Sequence, residues 1–304
     1  ESHCMIQTHS IQDGFFSGAK AMRREFERRF ENPHRGSADR FVWDYWNVEG
    51  QYSLMRTPAA RFFTQKLIRS FYERLLTFGR ERLGCAGISP PWLSYYVDGC
   101  YQDFHADVPH GPWAYVFSLT PWQERQFQGG ETLLLRPEVL DYWRTFTTGK
   151  GVERDEILQR IPAEFNRLTV FDPRIPHGVA RVSGVRDPLQ ARLVVHGWFT
   201  EPQPFIEGAL TRAQFKRGFA QFDARLRELT RELDEVHGTL CLRFKVRADG
   251  GMTPPQVLTE NIRAMSGDAE TRNQLLEAVQ EVLASVKFPR SKGVTRVTLP
   301  LLLR

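Results

Sequence analysis

From residue 92 to residue 199 the sequence leaves helical spacing and alternates with a period of two. Apolar and polar residues take turns over 92–97, 101–107, 113–119, 131–135, 167–171, 177–183 and 190–199, with Gly, Pro and Asp between the runs. Successive side chains of a strand point to opposite faces, so each run can bury one face and expose the other. Many short strands separated by turn signals predict a β-sandwich or a barrel. Residues 136–164 interrupt the pattern with a charged insert, and helical spacing is expected for Pro137–Phe146 and Glu153–Ile161.

The flanks read differently. Residues 17–31 predict an amphipathic helix capped by Ser17, with Ala21, Phe26 and Phe30 near one face. Phe41, Trp43, Tyr45, Trp46 and Tyr52 make 39–58 an aromatic strand-and-loop layer. Pro58 opens a helix expected to reach Leu83, where Gly84 ends it; Phe62, Phe63, Leu67, Phe71, Leu75 and Phe78 hold its spacing. Thr211 caps a long charged helix to about Val236, closed by Gly238. Thr239–Val246 alternates, Asp249-Gly250-Gly251 turns, 270–286 is helical and 293–299 alternates again, which reads as a small βαβ-like unit. The expected organisation is α+β: a first domain over 1–210 with its barrel core at about 92–200, a linking helix at 211–237, and a small α/β accessory domain at 238–304.

Composition narrows the class. The chain has 304 residues, 41% of them apolar and 25% charged, enough for a packed core and about two domains. No apolar run approaches the roughly 20 residues of a membrane helix. Glu1-Ser2-His3-Cys4-Met5 has no basic stretch leading into an apolar one, so no signal peptide is read there and a cytoplasmic setting is expected. Cys4, Cys85, Cys100 and Cys241 are far apart and form no C-x-x-C pair, so they are read as reduced thiols. The net charge is +5, yet the arginines are interleaved with acids, as in Arg23-Arg24-Glu25. No basic stripe marks a nucleic-acid partner, and no membrane partner is expected.

Chemistry concentrates in Asp103-Phe104-His105-Ala106-Asp107. Residues two apart on a strand share a face, so His105 and Asp107 can offer an imidazole and a carboxylate to one ion. His177, in Phe171-Asp-Pro-Arg-Ile-Pro-His177 at the start of a later strand, is the candidate third ligand. Two histidines and one carboxylate with the opposite face open are the ligand set of iron(II) in oxygen-activating enzymes. An H-x-D pair alone is commonly a surface hydrogen-bonded pair, and a histidine after proline is commonly a loop residue. A further element follows in Gln190-Ala-Arg-Leu-Val-Val-His-Gly-Trp-Phe199. A buried arginine at the start of such a strand needs a carboxylate, and a bidentate one suits its planar fork. The distal carboxylate of 2-oxoglutarate would serve; an acidic side chain at the barrel rim is the plainer partner.

These segments carry a resemblance. Tyr95-Tyr96-Val-Asp-Gly, Phe104-His-Ala-Asp107, Ser118-Leu-Thr-Pro-Trp122, Phe127-Gln-Gly-Gly-Glu-Thr-Leu133, Leu168-Thr-Val-Phe-Asp172 and Pro176-His-Gly-Val179 together resemble the iron(II)/2-oxoglutarate-dependent dioxygenases, most closely their prolyl-4-hydroxylase-like branch. The resemblance implies a double-stranded β-helix (jelly-roll) barrel supported by the helices of 17–83. It implies Fe(II) bound by His105, Asp107 and His177, with 2-oxoglutarate as co-substrate and ascorbate as an optional reductant. For the co-substrate carboxylate it leaves two arginines. Arg186 lies nine residues after His177; Arg192, the preferred one, lies on the strand itself, six residues before Trp198. The family's supporting tyrosine aligns with Ser118, a departure, and Tyr96 is a candidate contact for co-substrate or substrate. His196 shares the parity of Arg192, although an ordinary core histidine accounts for it as well. Related halogenases lack the carboxylate ligand, so Asp107 implies hydroxylation.

The implied reaction is hydroxylation of an unactivated C–H with release of succinate and CO2. A peptidyl residue, proline first, is the implied substrate. A free amino acid or small metabolite is the alternative, and nucleobase dealkylation is disfavoured by the scattered charge. A non-catalytic metal-binding or scaffold protein is the reading from another class. Residues 238–303 faintly resemble the TonB C-terminal domain through Gly238–Val246, Asp249-Gly250, Phe288-Pro289 and Leu299-Pro300, which implies a binding or dimerisation module.

Overall fold

The computed structural model describes residues 8–30, 43–107, 110–140, 142, 147–149, 151, 153–233, 235–265 and 269–303. The stretch Glu1–Met5 with Cys4, Phe41, and the end of the helix expected over Pro137–Phe146 lie outside the described residues. The described chain forms two compact units, one of Thr8–Leu76 with Gly87–Thr200 and one of Thr77–Ala86 with Glu201–Arg304.

The elements of the first part are β1 (His9–Gln12), α1 (Ala19–Phe30), β2 (Asp44–Val48), β3 (Tyr52–Pro58), α2 (Gln65–Phe78), β4 (Cys85–Ile88), β5 (Trp92–Tyr96), β6 (Tyr101–His105), β7 (Trp113–Ser118), β8 (Thr132–Leu135), β9 (Leu158–Ile161), β10 (Leu168–Phe171), β11 (His177–Val179) and β12 (Arg192–Pro202). Their pairing is nested. β5 pairs β12, β6 pairs β11, β7 pairs β10 and β8 pairs β9, all antiparallel. The chain from β5 to β12 is therefore one long antiparallel ribbon, and the pairs β7–β12 and β8–β11 join successive turns of that ribbon. A ribbon coiled on itself in this way is a double-stranded β-helix, the jelly roll implied by the resemblance. β3 bridges β5 and β6, and β2 pairs β3.

Strand parity divides the residues of β5 and β7 between two faces. Tyr95 and Phe117 point to the helices: Phe26 of α1 meets Tyr95 at 6.4 Å and Phe71 of α2 meets Phe117 at 4.8 Å. Met22, Phe26, Phe71 and Leu75 are fully buried there, and each contributes roughly 1.5–3 kcal/mol relative to exposure. The opposite parity of β3, β5 and β12 faces the barrel interior.

Two helical expectations change. The helix from Pro58 to Leu83 is a single turn at Ala59–Phe62, then α2, then a π-helical turn at Gly79–Leu83. It breaks at Thr64 because Glu25 takes that residue's backbone N–H at 2.8 Å and its hydroxyl at 3.3 Å. Gly84 ends the segment at φ +69°, as expected. In the insert, Glu153–Ile161 is not a helix throughout: one turn at Arg154–Ile157 gives way to β9, which pairs the open edge of β8. Sheet pairing there overrides the helical spacing of charges.

In the second unit the helix expected over 211–236 is two short ones, α3 (Arg212–Gly218) and α4 (Phe222–Leu229). Thr211 caps the first in a capping box with Gln214. A Cβ at Gly218 would lie 2.5 Å from the Phe288 ring, so the glycine lets the helix end sit against that side chain. The strands are β13 (Phe205–Gly208), β14 (Val236–Val246), β15 (Gln256–Glu260), β16 (Arg263–Ala264) and β17 (Thr295–Leu303), in the order β13-β17-β14-β15 with β16 on β14. Every pair is antiparallel. The expected βαβ-like unit is thus a split one: β15 and β17 run parallel with β14 between them, and α5 (Ala269–Ser285) lies between them in sequence. Leu240, Leu242, Phe244 and Val246 of β14 pack with Leu275, Val279 and Val282 of α5 in one core.

Candidate metal centre and its cavity

β6 ends on His105 and β11 begins on His177, and the two are register partners across the strands. Partners of this kind present their side chains on the same face. Asp107 follows His105 by two residues, and its backbone N–H donates to Pro173 O at 2.9 Å. The three ligand-type groups therefore converge. His105 Nε2 lies 3.7 Å from Asp107 Oδ1, His177 Nε2 lies 3.4 Å from Oδ2, and all three ligand atoms fall within 4.8 Å of one another. Among the described residues this is the one His/Cys/Asp/Glu cluster with such geometry.

The other ring nitrogens are committed. His105 Nδ1 lies 2.8 Å from Asp103 O and His177 Nδ1 lies 2.9 Å from Ile175 O. A carbonyl only accepts, so each Nδ1 carries a proton and Nε2 is the nitrogen that each ring turns toward Asp107. Three such groups this close need a proton or a cation between them. Burial pushes the Asp107 carboxyl up, but the His177 contact and the positive potential of His177, His105 and His110 outweigh it and hold the group below its ordinary range. The donor set fits iron(II), which takes two histidines and a carboxylate on one face; catalytic zinc more often takes three histidines or two with a glutamate.

Sequence reading did not single out the parts that hold His177 in place. Asp172 is buried, and its carboxylate accepts from the Arg174 backbone N–H at 3.0 Å and from the Arg174 guanidinium at 2.6 Å. Ile175 N–H donates to Asp172 O, which fixes the carbonyl that in turn holds His177. The Asp-Pro dipeptide was the available signal. At Gly178 a Cβ would stand 2.6 Å from Gln102 O, so the close approach of β6 and β11 requires glycine.

The triad opens into a cavity of about 540 Å3. Arg192, the register partner of Tyr96, reaches into it from β12. It is 1% exposed. Its Nη2 donates to the Thr132 hydroxyl at 3.3 Å and its Cζ stands 4.6 Å from the centre of the Tyr96 ring, while Nε and Nη1 have no partner. Burial draws its pKa down against the opposing pull of Tyr96 and Glu131. A buried guanidinium with idle donors costs several kcal/mol unless a ligand satisfies it, and a planar carboxylate does so through two parallel bonds. Arg186 instead has its side chain 90% exposed, 3.8 Å from Asp98, and does not line the cavity. Tyr96 lines it, with its hydroxyl donating to Gln102 Oε1 at 3.3 Å.

Ser118 departs from its expected place at the co-substrate. It has inward parity, but its hydroxyl donates to Ala163 O and accepts from Thr120 N–H, and it does not line the cavity. His196 does face the cavity. Burial first, then Arg192 and Arg56, push it down to about 4, so the imidazole bonded to Ser94 Oγ at 2.8 Å is neutral. Arg56, Trp46, Trp92 and Trp198 also line the cavity and were not foreseen as site residues.

No protein-family model matches the chain, and no curated protein sequence does. Among solved structures, a prolyl-4-hydroxylase of Pseudomonas putida is 15% identical over 64% of this chain and 92% of its own, with a TM-score of 0.43. The viral collagen prolyl hydroxylase of Paramecium Bursaria Chlorella virus-1, in its 2-oxoglutarate complex, is 16% identical over 63% and 95%, with a TM-score of 0.39. HygX of Streptomyces hygroscopicus, with nickel and 2-oxoglutarate bound, is 11% identical over 62% and 81%, with a TM-score of 0.40. The double-stranded β-helix assignment rests on the nested strand pairing rather than on these likenesses. No described helix is long and apolar enough to cross a membrane.

Proposed function

We propose that the protein is an iron(II)- and 2-oxoglutarate-dependent oxygenase that hydroxylates an unactivated C–H. The observation that carries the reading is one cavity holding both the converging ligand atoms of His105, Asp107 and His177 and a buried arginine with two donors unpartnered among the described residues. When bound, iron(II), 2-oxoglutarate and dioxygen supply the oxidising chemistry, in which R–H, O2 and 2-oxoglutarate become R–OH, succinate and CO2. His105, Asp107 and His177 would hold the metal and leave the opposite face open. Arg192 would hold the distal carboxylate of the co-substrate, with Thr132 beside it and Tyr96 under its guanidinium. The apolar walls exclude water from the reacting atoms. Neutral His196 adds no charge beside them.

A peptidyl residue, proline first, is the substrate the family resemblance implies. The alternative, a free amino acid or small metabolite, has a specific observation in its favour: the cavity contains a second arginine, Arg56, whose buried Nε has no partner among the described residues. The oxygenase reading is tested by adding iron(II) and 2-oxoglutarate under anaerobic conditions. A weak visible metal-to-ligand charge-transfer band that needs both additions is expected. Absence of the band, with no 2-oxoglutarate-dependent change on titration, would sink the reading.

A further inference from the structure

Arg56 lies on the inward face of β3, in register with Ser94 of β5. Its guanidinium carbon lies over two indole rings, with Cζ 3.0 Å from the centre of the Trp46 ring and 4.1 Å from that of Trp92. Two cation–π contacts thereby hold the group in place, and its N–H donors remain to meet anything else. Nε is buried without a partner, and among the described residues no hydrogen bond or ion pair reaches this guanidinium. The side chain is pre-organised at little further entropy cost, since two ring contacts already restrain it. It is a rigid fork with idle donors on the wall of the reaction cavity.

We propose that Arg56 binds a carboxylate of the substrate itself, so that the molecule oxidised is a small free acid rather than an internal residue of a peptide. The proposal rests on the oxygenase reading above. Charge supports it. Iron(II) and Arg192 together balance Asp107 and a doubly charged 2-oxoglutarate. Glu131, the next acid, has Arg160 at 3.8 Å. Asp44, the exposed register partner of Arg56 on β2, draws on it electrostatically but makes no ion pair with it among the described residues. Arg56 is then the cation left over, inside a space of about 540 Å3 that suits a small molecule beside the co-substrate. A carboxylate offers two charged oxygens to two of its donors, a stronger contact than the single neutral oxygen of a backbone carbonyl gives.

The test uses the full chain loaded with nickel(II), which does not turn over, and saturated with 2-oxoglutarate. L-Proline, L-leucine, L-phenylalanine and benzoate are titrated against their own carboxamides, with saturation-transfer NMR and tryptophan fluorescence as readouts. At least one acid should bind about tenfold or more tightly than its amide, as a lost charge-assisted contact dictates. Arg56→Gln should abolish that preference and keep the 2-oxoglutarate Kd within about threefold; Arg56→Lys should restore part of it. With iron(II) in air, the same acid should raise succinate release above the uncoupled rate. The proposal is overturned if no acid outbinds its amide, if Arg56→Gln keeps the preference, or if that variant weakens 2-oxoglutarate as Arg192 variants do. It is also overturned if a capped peptide, acetyl-Gly-Pro-Gly-amide, stimulates succinate release and none of the acids does. Failure of the oxygenase reading is separate and shows as wild-type protein that binds no 2-oxoglutarate.

Discussion

Replacing Arg192 with methionine should make the free protein more stable and the co-substrate complex much weaker. In the free protein Arg192 is 1% exposed and two of its nitrogens lack partners. Removing a poorly compensated buried charge in favour of an apolar side chain is worth about 1–4 kcal/mol. Against this stand the stacking on Tyr96 and the 3.3 Å bond to Thr132, each worth roughly 1 kcal/mol. The net gain should be at most about 2 kcal/mol, or a rise of up to roughly 8 °C in Tm for a unit of this size. In the complex the same change removes two charge-assisted hydrogen bonds to the distal carboxylate, about 3–5 kcal/mol in all. The Kd for 2-oxoglutarate should rise roughly 150- to 5,000-fold. Differential scanning fluorimetry of the free protein and calorimetric titration of the nickel-loaded protein read the two effects. Arg186→Met is the control, because its side chain is 90% exposed, and should change neither. If Arg192→Met lowers Tm and leaves the Kd within about threefold, Arg192 is a structural residue and the co-substrate assignment is wrong.

Three further outcomes follow from the site. Asp107→Ala removes the carboxylate that both imidazoles face at 3.7 and 3.4 Å. Iron(II) or nickel(II) affinity should fall by about two orders of magnitude or more, measured by anaerobic titration, while the circular dichroism spectrum stays unchanged. Gly178→Ala puts a Cβ 2.6 Å from Gln102 O; about 1–3 kcal/mol of stability should be lost, and metal affinity should drop at least about tenfold as His105 and His177 separate. His196 is held at about 4, below its unfolded value, so it is neutral in the fold and the unfolded chain binds the extra proton between those two values. Stability should therefore rise with pH across that window. Wild type should lose at most about 2 kcal/mol from this residue between pH 7 and pH 5, less in proportion to the solvent that reaches the ring. Urea unfolding at the two pH values should show that loss shrinking in His196→Asn; an unchanged slope would assign it to another group.

What could be read in the sequence is what a single strand encodes. Alternation marks β5 to β8 and β10 to β12 because parity is a local property, and parity also puts His105 and Asp107 on one face. Partner choice is not local. Nothing in 158–161 announces that it will complete the edge of β8, so β9 was hidden inside a charged segment with helical spacing. The break at Thr64 is of the same kind, since the carboxylate that makes it belongs to Glu25 on another helix. Arg192 was legible because a strand-initial arginine beside apolar neighbours is an anomaly that asks for an anion. Arg56 was not, although it alternates just as regularly, because its meaning depends on Trp46 and Trp92 arriving from two other strands.

This asymmetry bears on the chemistry. The two histidine ligands lie on a strand pair, β6 and β11, whose register brings them together, and Asp107 follows just past the end of β6. The cavity wall that would meet a substrate draws on β2, β3, β5, β7 and β12 at once, through Trp46, Arg56, Trp92, Tyr115 and Trp198. A site built from two strands can keep its ligands while the wall changes one side chain at a time, because parity and register protect the first and leave the second free. The reaction type is therefore written in spacing, whereas the substrate is written in which side chains the coil of the ribbon happens to bring face to face. In this chain the coil brings forward an arginine held against two indoles, and substrate selection should follow the charge of that fork more closely than the resemblance of the barrel that carries it.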